Sequence, residues 1–469
     1  MGKSRVLLAS TAALSLLLAG CMGGTTNSND ADTPVDDGAI PRPNVNCEIP
    51  DRNVDGDVID TSEVEGEITF MTQGLKGTFS EFFEAKIKEF EEAHPGTTIN
   101  WTDQGGSEDF DTIMVTQAGN CSMADVINVP SATILALSRA NLLLDFDTKA
   151  PGIGEHFVPG VWETVAFGAN DAHTALPWYY GPFITTYNKS VFERAGLDPE
   201  KPPATMDEYF EFAHKIADSG SGDYAVYGNT TWYLLAQWRA FGVNVMNDDY
   251  TEFTFAADPQ AKKWVEEMAA LYEKGAIPKD SITGDLDMSK AYGAGNLAFG
   301  SPNPSFLRNV AKNAGDVYEE TGVGPEALNA GIAPLFNGQF IAVSVTTPNA
   351  PLAIEFARFI TSDEQGAAWA NYGIDTETAV AIPLGAKALQ DPKLASVEGD
   401  DAFADARRLA LEQAAKSEAF GPMFYVTGQV SGVLLDNVNQ AIVGDLDPQD
   451  ALDAAQTEMN SMLDTLNKK

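Results

Sequence analysis

The chain is poor in the residues that most enzymes and nucleic-acid binders depend on: its 469 residues include 3 cysteines, 4 histidines and 29 basic residues set against 68 acidic ones. A formal charge of −39 leaves no broad cationic surface, which excludes nucleic acid and anionic lipid as partners. The acids are spread along the chain and read as a solvated surface, although they would also suit a cationic ligand. His94, His156, His173 and His214 are widely spaced and form no metal-ligating pattern. There is no His-Glu-x-x-His, no Walker-type phosphate loop, no Gly-x-Ser-x-Gly and no dinucleotide fingerprint. No segment after residue 20 is apolar enough to span a bilayer. With 68 acids, a carboxylate pair at glycosidase distance has no one-dimensional signature.

The first residues carry a strong pattern. Lys3 and Arg5 precede an apolar run over 6–18, which is too short to span a membrane, and Leu18-Ala19-Gly20-Cys21 follows. That pattern reads as a lipoprotein signal peptide over 1–20, with acylation at Cys21 and anchoring by lipid expected; the competing reading is an ordinary cleaved signal followed by an incidental cysteine. Loss of Lys3 and Arg5 with the leader moves the formal charge from −39 to −41. If Cys21 is acylated, only Cys47 and Cys121 remain, so one connectivity exists. They form either a disulfide permitted outside the cytoplasm or two buried thiols. Residues 21–65 are rich in Gly, Thr, Asn, Asp and Pro and are expected to form a lipidated flexible tether. Within it, Asp51, Asn53, Asp55, Gly56 and Asp57 match the first positions of a calcium loop. Position twelve is Ser62, one residue before Glu63, so Asp60 would have to close the site. The string is read either as a structural calcium site or as ordinary Asp/Asn/Gly turns; no other cofactor is expected.

From residue 66 short apolar runs alternate with amphipathic helices. The pattern predicts a strand around Ile68 and Phe70, and a helix from Phe79 to Ala93 capped by Thr78 with Glu81 and stopped by Pro95-Gly96. Strands are predicted over 98–102 and 125–129, and a helix over 132–140. Thr205 with Glu208, Asp258-Pro259 and Ser362 with Gln365 open three further helices. Strands separated by helices predict an α/β protein with parallel, doubly wound sheets.

Large aromatics fall beside turns. Trp178-Tyr179-Tyr180-Gly181-Pro182 follows Leu176-Pro177, and Trp232-Tyr233 follows Asn229-Thr230-Thr231. An aromatic face suits the C–H face of a pyranose ring, and the hydroxyl rim of the sugar calls for amide partners. Gln73, Gln104 and Asn303 stand at turns where they could supply them. For any single ring the competing reading is ordinary core packing.

These segments, in this order, carry a resemblance: Ala124-Asp125-Val126-Ile127-Asn128-Val129, Leu176-Pro177-Trp178-Tyr179 leading to Tyr187-Asn188-Lys189, Pro203-Ala204-Thr205, and Gly331-Ile332-Ala333-Pro334-Leu335. Over about residues 66–469 the chain resembles the family 1 extracellular solute-binding proteins, the maltose-binding-protein-like lipoproteins of ABC sugar importers. The resemblance implies a periplasmic-binding-protein type II fold, with two discontinuous lobes joined by a hinge. Lobe one would take 66–180 and 333–378, and lobe two 181–332 and 379–469. It also implies ligand contacts near Val129, Pro130, Ser131, Tyr180, Gly181, Trp232, Tyr233, Asn303 and the stretch from Tyr425 to Gln429. Val129 and Asn303 stand where maltose binders place tryptophans, which points to a smaller or different sugar than maltodextrin. The expected protein is a monomeric, extracytoplasmic, lipid-anchored receptor, not an enzyme, handing a carbohydrate to permease subunits. Three rivals stay open: the same fold binding a polyamine or metal ion, a lipid-anchored glycoside-acting enzyme, and an adhesive or structural surface protein.

Overall fold

The computed structural model describes residues 42–106, 110–414 and 416–467, which fall in one compact unit. The leader and Cys21 lie outside the described residues. The strands in chain order are β1 (Gly66–Gln73), β2 (Thr97–Gln104), β3 (Val126–Pro130), β4 (Leu176–Tyr180), β5 (Ile184–Asn188), β6 (Thr321–Pro325), β7 (Gly338–Val343) and β8 (Ile382–Pro383). The longer helices are α1 (Lys76–Ala93), α2 (Phe110–Gly119), α3 (Ser131–Arg139), α4 (Met206–Asp218), α5 (Leu234–Phe241), α6 (Pro259–Glu273), α7 (Ala350–Ile360), α8 (Asp363–Thr376), α9 (Ala402–Ala414), α10 (Gly428–Val443) and α11 (Pro448–Asn467). Among the described residues no helix is long and apolar enough to cross a membrane.

Local chemistry sets most helix starts. The Thr205 hydroxyl accepts from Glu208 N at 3.1 Å, Asp258 Oδ1 from Gln260 N at 2.8 Å and Ser362 Oγ from Gln365 N at 3.3 Å, each satisfying an otherwise orphaned N–H. The expected cap at Thr78 is not used. Helix α1 begins at Lys76 and is kinked at Phe79, with no side-chain cap. Tertiary packing overrides the local signal there, because Phe79, Phe82 and Phe83 turn into a cluster with Trp369.

Six strands form one sheet in the order β2-β1-β3-β7-β4-β8, and β5 and β6 form a separate pair. Only β2-β1-β3 is parallel; β7 runs antiparallel to β3 and β4, and β5 is antiparallel to β6. The all-parallel expectation therefore fails, since β7 returns from the other lobe and enters the sheet against its neighbours. The chain leaves the large sheet at Tyr180 and enters the small one at Ile184, then comes back between Pro325 and Gly338.

The lobe boundaries differ from expectation at two places. Ile382 and Pro383 pair with Tyr180 and Tyr179, so the large sheet extends past residue 378. The core around the large sheet also continues to Tyr292, Phe306 and Leu307 and to Phe403 and Ala406 on α9. A second core holds α4, α5, α6, α10 and α11 around Trp238 and Trp264.

The stretch expected to be a free tether is partly docked. Ile49, Val54 and Ile59 are buried in the first core, and Cys47 is joined to Cys121 by a disulfide with Cα atoms 6.2 Å apart. The residues of the candidate calcium string have partners within the protein. Asp51 pairs with Arg42 at 2.7 Å, and Asn53 donates to the carbonyls of Val345 and Thr347 at 2.9 and 2.8 Å. Asp55 meets the wholly buried Lys149 at 2.7 Å, and Asp57 offers that lysine its backbone carbonyl at 3.2 Å. The Lys149 ammonium hydrogen bond holds the Asp55 carboxyl below the usual aspartate range. Among the described residues no group of three or more His, Cys, Asp or Glu converges as a metal site.

Candidate functional site

Parallel strands deliver their C-terminal ends to one edge of a sheet, and ligands collect outside that edge. Here β1 ends at Gln73 and β3 ends at Pro130, where α3 starts with Ser131. Buried Asn128 fixes these ends: its side-chain oxygen accepts from Gln73 N at 3.2 Å, and its amide donates to Gln339 Oε1 at 3.0 Å. Opposite them stand residues on the side of the second core: the half-exposed Trp232 before α5, Leu234 and Leu235 in its first turn, and the start of α10.

Between the two walls lies a cavity of ≈ 480 Å³, within the range of small-molecule sites. Its polar groups are those of Gln73, Asp111, Ser131, Thr231, Asn337 and Ser431, and its apolar surface includes Phe110, Trp232, Leu235, Met423 and Val426. Trp232 is 50% exposed, with one face stacked on Phe183 at 5.8 Å and its edge against Tyr233 at 5.0 Å. Gly428, Ser431 and Gly432 face the cavity at successive turns of α10. A Cβ on Gly432 would meet nothing within 4 Å, so the missing side chain is room left to a ligand.

The expected contacts divide sharply. Gln73, Pro130, Ser131 and Trp232 line the cavity, as do Val426 and Gly428 within the stretch from Tyr425 to Gln429; the other named residues are placed elsewhere. Val129 is fully buried in the sheet opposite Phe340. Trp178 is 3% exposed, packs on Trp369 at 4.7 Å and donates its indole N–H to Ile360 O at 3.2 Å. Tyr179 lies edge-on to the same Trp369 at 4.5 Å, and Tyr180 stacks on Phe336 at 5.6 Å. Burial raises both phenol pKa values well above 10. Tyr233 is buried beside a separate small hollow of lobe two, and its phenol is likewise pushed up, by burial and then by Tyr209 and Tyr227. Gln104 pairs with Gln73 at the end of β2, and Gly181 donates its N–H to Asn337 O at 3.1 Å. Asn303 is spent on a local cap, accepting from Ser305 N at 2.9 Å. Gln429 is exposed. Tyr425 stacks on Tyr250 at 5.3 Å and accepts from Arg139 at 3.1 Å.

Sequence reasoning missed Phe110, Asp111, Asn337, Met423, Ser431 and Gly432. The one available signal was Gly428, Ser431 and Gly432 at helical i, i+3, i+4 spacing, which marks a helix face kept low.

An α/β protein with two cores, repeated chain crossings between two sheets and a cavity walled by both sides is a binding protein that encloses its ligand. The chain belongs to the bacterial extracellular solute-binding protein family, whose model matches residues 76–367. Its fold is that of the type II periplasmic binding proteins. A putative oligosaccharide periplasmic-binding protein from Synechococcus sp. MITs9220 superposes with a TM-score of 0.74 at 21% identity, covering 85% of this chain and 99% of that one. The maltose-bound MalE3 of T. maritima gives 0.66 at 21% identity, covering 84% and 99%. The sn-glycerol-3-phosphate-binding periplasmic protein UgpB of Rhizobium meliloti is 30% identical over 169 residues, 36% of this chain and 33% of that protein. The match thus spans about a third of the length of that curated relative.

Proposed function

We propose that this chain is the substrate-binding subunit of an ABC importer, held outside the cytoplasm by acylated Cys21, which captures a carbohydrate between its lobes and presents it to membrane permease subunits. The observation that carries this reading is the walled cavity of ≈ 480 Å³ with a half-exposed Trp232 as its flat platform, set among amide and hydroxyl side chains. An indole face takes the C–H face of a sugar, and Gln73, Asn337, Ser131 and Ser431 meet the hydroxyl rim. No covalent step is needed. A ligand touching both walls binds the closed state more tightly and shifts the population toward it, a hinge closure for which periplasmic binding proteins serve as a standard example.

A polyamine would need several carboxylates in the cavity, and a glycosidase would need a pair. Among the described lining residues Asp111 is the single acid, which favours the carbohydrate reading over both. The test is a thermal-shift screen against mono- and oligosaccharides, with polyamines and calcium included. A ligand at 100 times its Kd adds about 2.7 kcal/mol, a shift of a few degrees. A sugar hit supports the reading; stabilisation by a polyamine alone, or silence throughout, overturns it.

A further inference from the structure

Asp111 is the one charged side chain among the described cavity residues, and it does not simply wait for ligand. It sits in the first turn of α2, on the large-sheet side, and is 9% exposed. One carboxylate oxygen takes the hydroxyl hydrogen of Thr133, a fully buried residue of α3. The other accepts from Gly428 N at 2.9 Å, the first residue of α10 in the opposite lobe. Thr427, at the N-cap of that 16-residue helix, makes no side-chain cap bond. The cap that α10 lacks locally is therefore supplied across the cleft, by an anion placed at the positive end of a helix.

The same lobe-two segment is gripped at two further points. Arg139 at the end of α3 donates to the Tyr425 hydroxyl at 3.1 Å, with its guanidinium 4.8 Å from the centre of that ring. Phe167 packs on Phe424 at 4.6 Å. Of the three contacts, the Asp111–Gly428 pair is the one whose residues line the cavity. A ligand phosphate enclosed there would meet this fixed carboxylate, whereas anion sites are built from Arg, Lys or several free N–H groups. Among the described lining residues none is Lys, Arg or His.

We propose that Asp111 is an interlobe latch and charge filter: it closes the cleft by capping α10 from the other lobe, and it keeps anionic molecules out of the cavity, excluding phosphate esters such as sn-glycerol-3-phosphate. The filter rests on the binding-protein reading above; the latch does not depend on the ligand being a sugar.

The experiment uses the full chain with Cys21→Ser and spin labels at Ala85→Cys on α1 and Ala454→Cys on α11, both exposed positions. Lobe-to-lobe distances are measured without ligand for the parent, Asp111→Ala and Asp111→Asn. The alanine variant loses the closed distance at least about tenfold, as removal of a charge-assisted bond requires. The asparagine variant retains most of it, because its amide oxygen still accepts from Gly428 N; rescue by this isostere separates a latch from a general loss of structure. Identical distance distributions in all three proteins overturn the latch. In parallel, millimolar sn-glycerol-3-phosphate, glucose and maltose are tested for thermal stabilisation of the parent. Stabilisation by sn-glycerol-3-phosphate overturns the filter. Sugars that stay silent both here and across the full thermal-shift screen, while the latch behaves as expected, overturn the carbohydrate reading alone.

Discussion

Removing the Trp232 ring separates recognition from stability. A tryptophan covers roughly 150–250 Å² when buried, and Trp232 is 50% exposed, so about 100 Å² of ring is available to a ligand. At about 25 cal/mol per Å², covering it is worth roughly 2.5 kcal/mol, in the range of a central binding anchor. Trp232→Ala should then weaken the sugar identified by the thermal-shift screen by about 2 kcal/mol, or about 30-fold in Kd, measured by isothermal titration calorimetry. The fold should tolerate the change, since the ring is half exposed and its aromatic contacts are limited to Phe183 and Tyr233. Trp178→Ala is the matched contrast. That ring is buried among Phe70, Phe83 and Trp369, so its loss should cost about 3–5 kcal/mol of stability, read from urea unfolding. An unchanged Kd for Trp232→Ala would refute the assignment of the cavity as the sugar site.

Gly432→Leu should direct a side chain into the cavity, because a Cβ there meets nothing within 4 Å; Tm holds or rises as helix propensity improves, while affinity falls more than about tenfold, and unimpaired binding contradicts the placement of α10. Cys47→Ser opens a loop with sequence separation 74 and should cost about 2–4 kcal/mol, with faster hydrogen exchange over 45–60 as the local signature. Burial raises the Glu326 carboxyl to about 7, against the pull of Leu335 N–H and Arg239. Its folded pKa lies above its unfolded one, so its contribution to stability is complete below about pH 4.3, falls as pH rises and is gone above about pH 7. Glu326→Gln should flatten that part of the stability–pH curve, measured by chemical unfolding from pH 4 to 8; an unchanged slope shows that the group titrates normally.

Much of the local structure was legible in the sequence because its causes are local. Thr205, Asp258 and Ser362 cap helices through bonds two or three residues away, and such short loops close whatever the rest of the chain does. The strands around Ile68 and Phe70 and over 125–129 could be placed because strand runs stop at turn residues, and their ends at Gln73 and Pro130 became the cavity floor. The aromatic run at 178–180 misled for a physical reason. A strand carries side chains on both faces, and the neighbouring strands and helices decide which face is covered. Here α8 brings Trp369 against Trp178 and Tyr179, and Phe336 covers Tyr180.

By itself, then, the sequence determined the helix caps at Thr205, Asp258 and Ser362, the alternation of strands and helices, and the solute-binding family. Only the tertiary structure decided the mixed direction of the sheet, the docking of residues 45–60, and which aromatics face a ligand. Trp232 faces the cavity because no element packs over its outer face; nothing in Thr231-Trp232-Tyr233 distinguishes it from its buried neighbour. Asp111 is the clearest case. In the sequence it is one first-turn acid among many, and it becomes a latch because folding brings it to a backbone N–H 317 residues away, a proximity that local propensity cannot encode.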